Sequence, residues 1–86
     1  MQRSTITTEL QKYIAHDVLD GKDIGLDETT PLLEWGIVNS FEMTKLLGFI
    51  RQQFDVEITP SQLVADSFAD IHSITDLVME NIASRS

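Results

Sequence analysis

Eighty-six residues, with fourteen Asp and Glu against six Lys and Arg, give a formal charge of −8 and room for one domain with a modest core. That length argues against a catalytic cleft with its own substrate pocket, and the acidic balance opposes binding to the phosphate backbone of DNA or RNA. The absence of cysteine removes disulfide frameworks, thiol chemistry and Cys-based metal sites.

Two meanings of the charge stay open: docking on basic partner surfaces, or solubility alone. The start, from Met1 to Glu9, has no apolar run of signal-peptide type, and no segment is long enough to span a membrane. A cytoplasmic protein, made of one domain over 1–86 with frayed ends at 1–3 and 84–86, is the expectation.

Ser4 or Thr5 is placed to cap a first helix, along which Ile6, Leu10, Ile14 and Val18 recur every four residues with Tyr13 and Leu19 beside them. Asp20-Gly21 stops it, with Gly21 suited to a left-handed cap. Residues 21–39 read as a long irregular stretch punctuated by Gly21, Gly25, Pro31 and Gly36. Such a loop is uncommon in a small domain unless it is functional or pinned down. Ile24, Leu26, Leu32, Leu33, Trp35, Ile37 and Val38 give it apolar anchors, so it reads as a packed strap that ends at Ser40.

A second helix is expected from about Ser40 to Phe54, with Met43, Leu46, Leu47, Ile50 and Phe54 on its inner face and Lys45, Gln52 and Gln53 in solvent. Gly48 within it serves a close helix crossing or has no role. Asp55 to Ile58 alternates polar and apolar residues but has no strand to pair with, so it reads as an extended connector. Thr59-Pro60 fits the start of a short helix through Leu63 and Val64. Phe68 and Ile71 are anchors, and Ser73 with Asp76 forms a capping-box-like start to a last helix that carries Ile74, Leu77, Val78 and Ile82 and ends near Ala83. The fold class is all-α, a small bundle of three to four helices.

Most reactive constellations fail. His16 and His72 lack a second ligand at metal spacing and read as solvated surface residues. Asp20, Asp23 and Asp27 do not follow the spacing of a calcium loop, and Gly21 with Gly25 fits no phosphate-binding pattern. Ser40 lacks the flanking glycines of a nucleophile elbow, having Val38 and Glu42 there instead. With no base beside it the hydroxyl is a weak nucleophile, so if Ser40 reacts, another protein must activate it.

The junction from Trp35 to Phe41 remains. A residue that opens a helix meets unpaired N–H groups and the positive end of the helix dipole, where an esterified phosphate is stabilised. Asn39 is itself a good N-cap and would leave the Ser40 hydroxyl free; an ordinary cap with no further role is the competing reading.

The ordered run Pro31-Leu32-Leu33-Glu34-Trp35-Gly36-Ile37-Val38-Asn39-Ser40-Phe41, then Leu46-Leu47, then Gln53-Phe54-Asp55-Val56-Glu57-Ile58, resembles the core of acyl and peptidyl carrier proteins. Phe68-Ala69-Asp70-Ile71-His72-Ser73-Ile74 is similar to that family's lead into its final helix. The resemblance covers the chain from the first helix to Ile82. It implies that Ser40 receives a 4′-phosphopantetheine arm from a separate phosphopantetheinyl transferase using coenzyme A. The arm's thiol then carries an acyl or aminoacyl group as a thioester. The domain itself catalyses nothing, and presents its cargo to a loading enzyme and to downstream synthase or tailoring enzymes at raised effective concentration. A monomer is expected.

Two departures shape the expectation. Asn39 stands where the family usually has Asp, keeping the capping oxygen but not the charge. The second helix mixes Glu42 with Lys45 and Arg51, where carriers of fatty-acid synthesis are strongly acidic. The chain is therefore more similar to discrete carriers of polyketide or nonribosomal peptide assembly. A carrier of fatty-acid synthesis and an unmodified carrier-like interaction domain are the alternatives. Trp35 reads as a strap residue packed on the core or as an exposed aromatic that meets the arm or a partner. Phe41, Glu42 and Met43 are the other candidate partner contacts, with core packing the rival role for Met43.

Overall fold

Apolar residues every four positions overshoot the helical repeat by about 40° at each step, so a regular helix would carry Val18 away from the face that holds Ile6. In the computed structural model, which describes residues 2–21 and 25–84, the chain resolves this by changing pitch. Helix α1 runs Arg3–Tyr13 and passes into a π-helical turn over Ile14–Val18, closed by the Leu19 N–H on the Ile14 carbonyl at 2.9 Å. Ile6, Leu10 and Ile14 are fully buried and Val18 packs against the same core. Asp20 and Gly21 both turn left-handed, with φ of 55° and 80°, and the Gly21 N–H closes on the Ala15 carbonyl. The start differs from expectation. Ser4 and Thr5 lie inside α1, whose N-cap is Gln2 with no side-chain cap bond. Arg3 is helical and hydrogen-bonded to Asp76, and Met1 lies outside the described residues.

Ile24 and Asp23 of the strap lie outside the described residues. Beyond them, Asp27 Oδ1 accepts hydrogen bonds from the Thr29 N–H and hydroxyl, both at 2.8 Å, and fixes a turn. Residues 31–36 then wind through one turn that ends in a Schellman arrangement: Ile37 N–H bonds to Leu32 O at 2.9 Å and Gly36 N–H to Leu33 O at 3.1 Å. Gly36, at φ 71°, takes the left-handed position this requires. Leu32 and Val38 are buried, and Leu26, Leu33 and Ile37 pack against the core, as a packed strap demands. Trp35 is the exception, pointing outward from the turn with 60 % of its surface exposed.

Helix α2 spans Ser40–Phe54 and buries Leu46, Ile50 and Phe54. Phe49 stacks on Tyr13 of α1 with ring centroids 4.3 Å apart. A Cβ at Gly48 would meet nothing within 4 Å, so no close helix crossing explains that glycine. Asp55 ends α2 in the left-handed region, and an irregular connector buries Val56.

The expected helix through Leu63 and Val64 does not form. Thr59 and Gln62 bond to each other instead, closing a 3-10 turn over Pro60–Gln62. A second such turn covers Ala65–Phe68, and the two apolar residues sit exposed between them. Helix α3 spans Ile71–Ser84 and begins three residues earlier than expected, because Asp70 and not Ser73 is the cap: its Oδ1 accepts the Ser73 N–H at 2.8 Å. Ser84 is the last residue of α3, and Arg85 and Ser86 lie outside the described residues.

Helices α1 and α3 pack together and share the core with α2. The strap is tied in from the far end of the chain: Leu32 N–H bonds to Ala69 O, and His72 N–H to Glu28 O, both at 2.8 Å. Around the second bond Arg3 meets Asp76, its Nη2 lies 2.9 Å from His72 Nδ1, and His72 is 3.7 Å from Glu28. No strand occurs among the described residues, and among them no helix is long and apolar enough to cross a membrane.

Candidate functional site

The strap delivers Asn39 to the start of α2 in an extended conformation, φ −107° and ψ −173°. Its carbonyl accepts the first helical bond, from Met43 N–H at 2.8 Å, and its Oδ1 accepts Glu42 N–H at 2.9 Å. Asn39 is therefore the cap, as its residue type predicts.

Ser40 is the first helical residue and is exposed. Its carbonyl receives the Thr44 hydroxyl at 3.2 Å, but its own hydroxyl has no hydrogen-bond partner among the described residues. The competing role, Ser40 as the cap, is thereby filled by its neighbour. Among the described residues no base is hydrogen-bonded to the hydroxyl: His72 is engaged with Arg3, Glu28 and Asp76, and His16 is an exposed residue of the π-helical turn. The arrangement is a free primary alcohol at the positive end of a fifteen-residue helix. It is chemically quiet on its own and well placed to hold a phosphate ester.

Around this point lie the four expected partner contacts. Trp35 and Phe41 are exposed, Phe41 by 69 %. Met43 is half-buried and packs against the core. Glu42 is half-buried too, with its Oε2 covered and without a hydrogen-bond partner.

Sequence reasoning missed one neighbour of the site. Lys45, read there only as solvent-facing, holds its Nζ 5.3 Å from the centroid of the Phe41 ring. The signal was present: positions 41 and 45 are one helical turn apart, the spacing at which an aromatic and a cation meet. Among the described residues no cluster of His, Asp and Glu is arranged to hold a metal ion.

With this geometry in view, the chain matches, over residues 6–78, a family described as the phosphopantetheine attachment site. It is 37 % identical over 73 residues to the protein named Probable acyl carrier protein PigG from Serratia sp. (strain ATCC 39006), covering 85 % of this chain and 84 % of that one. In structure it is similar, with a TM-score of 0.77 and 35 % identity, to a chain in the crystal structure of a FAD-dependent dehydrogenase. That match covers 80 % of this chain and 97 % of the other. The fold is thus the small helical fold of acyl carrier proteins, with a long loop between its first two helices.

Proposed function

The chain belongs to the phosphopantetheine attachment-site family, and on that premise we propose that Ser40 bears the 4′-phosphopantetheine arm. The arm's terminal thiol supplies the thioester that holds an acyl or aminoacyl group. The family is one of carriers, not of catalysts. Its members work with a phosphopantetheinyl transferase and with the enzymes of their pathway. One observation carries the assignment to Ser40: its hydroxyl is exposed and unbonded at the N-terminus of α2 because Asn39 does the capping.

In the attachment step, Ser40 Oγ forms a bond to the phosphorus of the pantetheine-bearing phosphate of coenzyme A. The diphosphate P–O bond breaks, adenosine 3′,5′-bisphosphate leaves, and the serine proton passes to a base on the transferase. The N-terminal N–H groups and dipole of α2 then favour the phosphodiester charge.

We further assign this carrier to a specialised route of the polyketide or nonribosomal peptide kind. It acts in the cytoplasm as a monomeric single domain over 1–86, with no catalysis of its own. The mixed charge of α2 supports this over fatty-acid synthesis. The match to a chain in a FAD-dependent dehydrogenase crystal supports such a dehydrogenase as a tailoring partner, one that oxidises the tethered group by two electrons. Trp35 and Phe41 are the contacts we assign to partners, while Glu42 and Met43 offer only their uncovered edges.

The test is intact-mass spectrometry after incubation with coenzyme A and a broad-specificity phosphopantetheinyl transferase. The native chain gains one phosphopantetheine and Ser40→Ala gains none. No gain across several transferases would replace this function with that of an unmodified interaction domain.

A further inference from the structure

Helix α2 carries three charged side chains, Glu42, Lys45 and Arg51, and they are presented very differently. The Glu42 carboxylate turns inward: one oxygen is covered, and the group lies within electrostatic reach of the Tyr13 phenol on α1. Arg51 sits three turns from Ser40, where it shares a pocket wall with Asp55 and Glu57. Lys45 is exposed and leans on Phe41. On the end of α2 that presents Ser40, the outward charge is therefore an ammonium, set over an exposed aromatic ring. Glu34, exposed beside Trp35 on the strap, is the nearest outward acid in sequence. This occurs in a chain of net charge −8.

Any enzyme that reaches a group attached to Ser40 must cover this end. We infer that the partner face that docks there is an apolar pocket that takes Phe41, bordered by a carboxylate that meets Lys45. A basic patch that reads an acidic helix does not fit it. The inference rests on the Ser40 assignment above and names the chemistry of the partner's docking face.

Three arguments favour it. A large exposed aromatic is the residue type that concentrates binding energy when a pocket desolvates it. A cation held over that ring gains strength as water leaves, provided an anion is there to meet it. Finally, in a chain of net charge −8 the outward cation at the Ser40 end of α2 marks a place where a carboxylate is attracted, so orientation is selected along with contact. A basic partner would be drawn to much of the acidic surface without that discrimination.

The consequence is an unusual salt response. Docking by an acidic helix on a basic patch loses affinity steeply as salt rises. Here a single local ion pair accompanies an apolar contact that screening does not weaken, so affinity depends little on salt.

The probe is the FAD-dependent dehydrogenase in whose crystal the 35 % identical chain occurs. The partner protein is the phosphopantetheine-bearing form of this chain, verified by mass. Calorimetric titration at about 20 and about 300 mM NaCl is expected to show affinity changing by less than about threefold between the two salts. Phe41→Ala and Lys45→Glu should each weaken binding by about tenfold, and Glu34→Gln should leave it nearly unchanged. Phe41 and Lys45 are exposed, and circular dichroism of each variant confirms its fold. Unchanged binding by Phe41→Ala overturns the inference. Tighter binding by Lys45→Glu with steep salt loss overturns it as well, and so does a native chain that does not bind this enzyme. The mass measurement keeps the two levels apart: no gain at Ser40 sinks the carrier assignment, whereas a full gain with indifferent variants sinks only the docking face.

Discussion

Asn39 Oδ1 accepts the backbone N–H of Glu42 at 2.9 Å, so the start of α2 is satisfied by the residue before Ser40 and the serine is spared that duty. Asn39→Ala removes the bond and is expected to lower stability by about 1 kcal/mol, seen as a lower urea midpoint at unchanged slope. Asn39→Asp keeps the acceptor and adds a charge that suits the helix dipole. It should be at least as stable as the native chain and be modified faster at Ser40. An unchanged rate would show that transferases read the shape of this residue and not its charge.

The strap hangs on Leu32, which is fully buried, donates its N–H to Ala69 O and accepts the Ile37 N–H on its own carbonyl. Leu32→Ala should cost about 2–5 kcal/mol, a large part of the stability of so small a domain. Trp35→Ala, three residues on but exposed, should shift stability by no more than about 0.5 kcal/mol. Chemical denaturation of the pair checks this. Equal losses would mean that Trp35 is packed after all.

The turn at Asp27 predicts an acid limb. The Thr29 hydroxyl and N–H, and then Thr30, bond to the Asp27 carboxylate and hold its pKa below the ordinary 3.8, against a smaller opposing effect of desolvation. A depressed folded value stabilises the native state at pH above the unfolded value, and that contribution is lost as pH falls through the folded one. Asp27→Asn should flatten the decline of the urea midpoint below about pH 4. An identical acid limb in the variant would remove Asp27 as its source.

At the other extreme of pH the relevant group is Tyr13. Burial, then the charges of Asp17 and Glu42, raise its phenol above the ordinary 10.0. A raised folded value gives stability that is complete below the unfolded pKa and lost as pH climbs through the folded one. Tyr13→Phe keeps a ring to stack on Phe49 and deletes the ionising group. Its stability should hold flatter than that of the native chain above about pH 10, and a parallel decline would count against the assignment.

What was legible in the sequence follows from burial on one face. The stripes of α1, α2 and α3 were readable because Ile6, Leu10, Leu46, Ile50, Ile74 and Val78 face one core. The free Ser40 hydroxyl was only half readable, because Asn and Ser cap equally well and the Asn39 bond to the Glu42 N–H decides between them. The helix starts were less so. Asp70-x-x-Ser73 and Ser73-x-x-Asp76 carry the same cap chemistry three residues apart, and only the packing of Ile71 decides between them. The outward direction of Trp35 depends on the hand of the turn that Gly36 closes, which composition does not reveal. Leu63 and Val64 look like a helix core until the Thr59–Gln62 bonds close the preceding turn too early. The change of pitch at Ile14–Val18 was latent in the four-residue spacing itself.

The bonds from Leu32 N–H to the Ala69 carbonyl and from His72 N–H to the Glu28 carbonyl also bear on order in time. A ribosome delivers Ser40 well before it delivers the two residues that anchor the strap. A nascent chain that has reached only Phe54 holds every residue of the junction and the Gln11 bond to the Leu26 carbonyl, yet lacks the Ala69 and His72 ends of these two bonds. Contacts between distant parts of the sequence form late, so these two ties to the strap close only once the C-terminal third has been made.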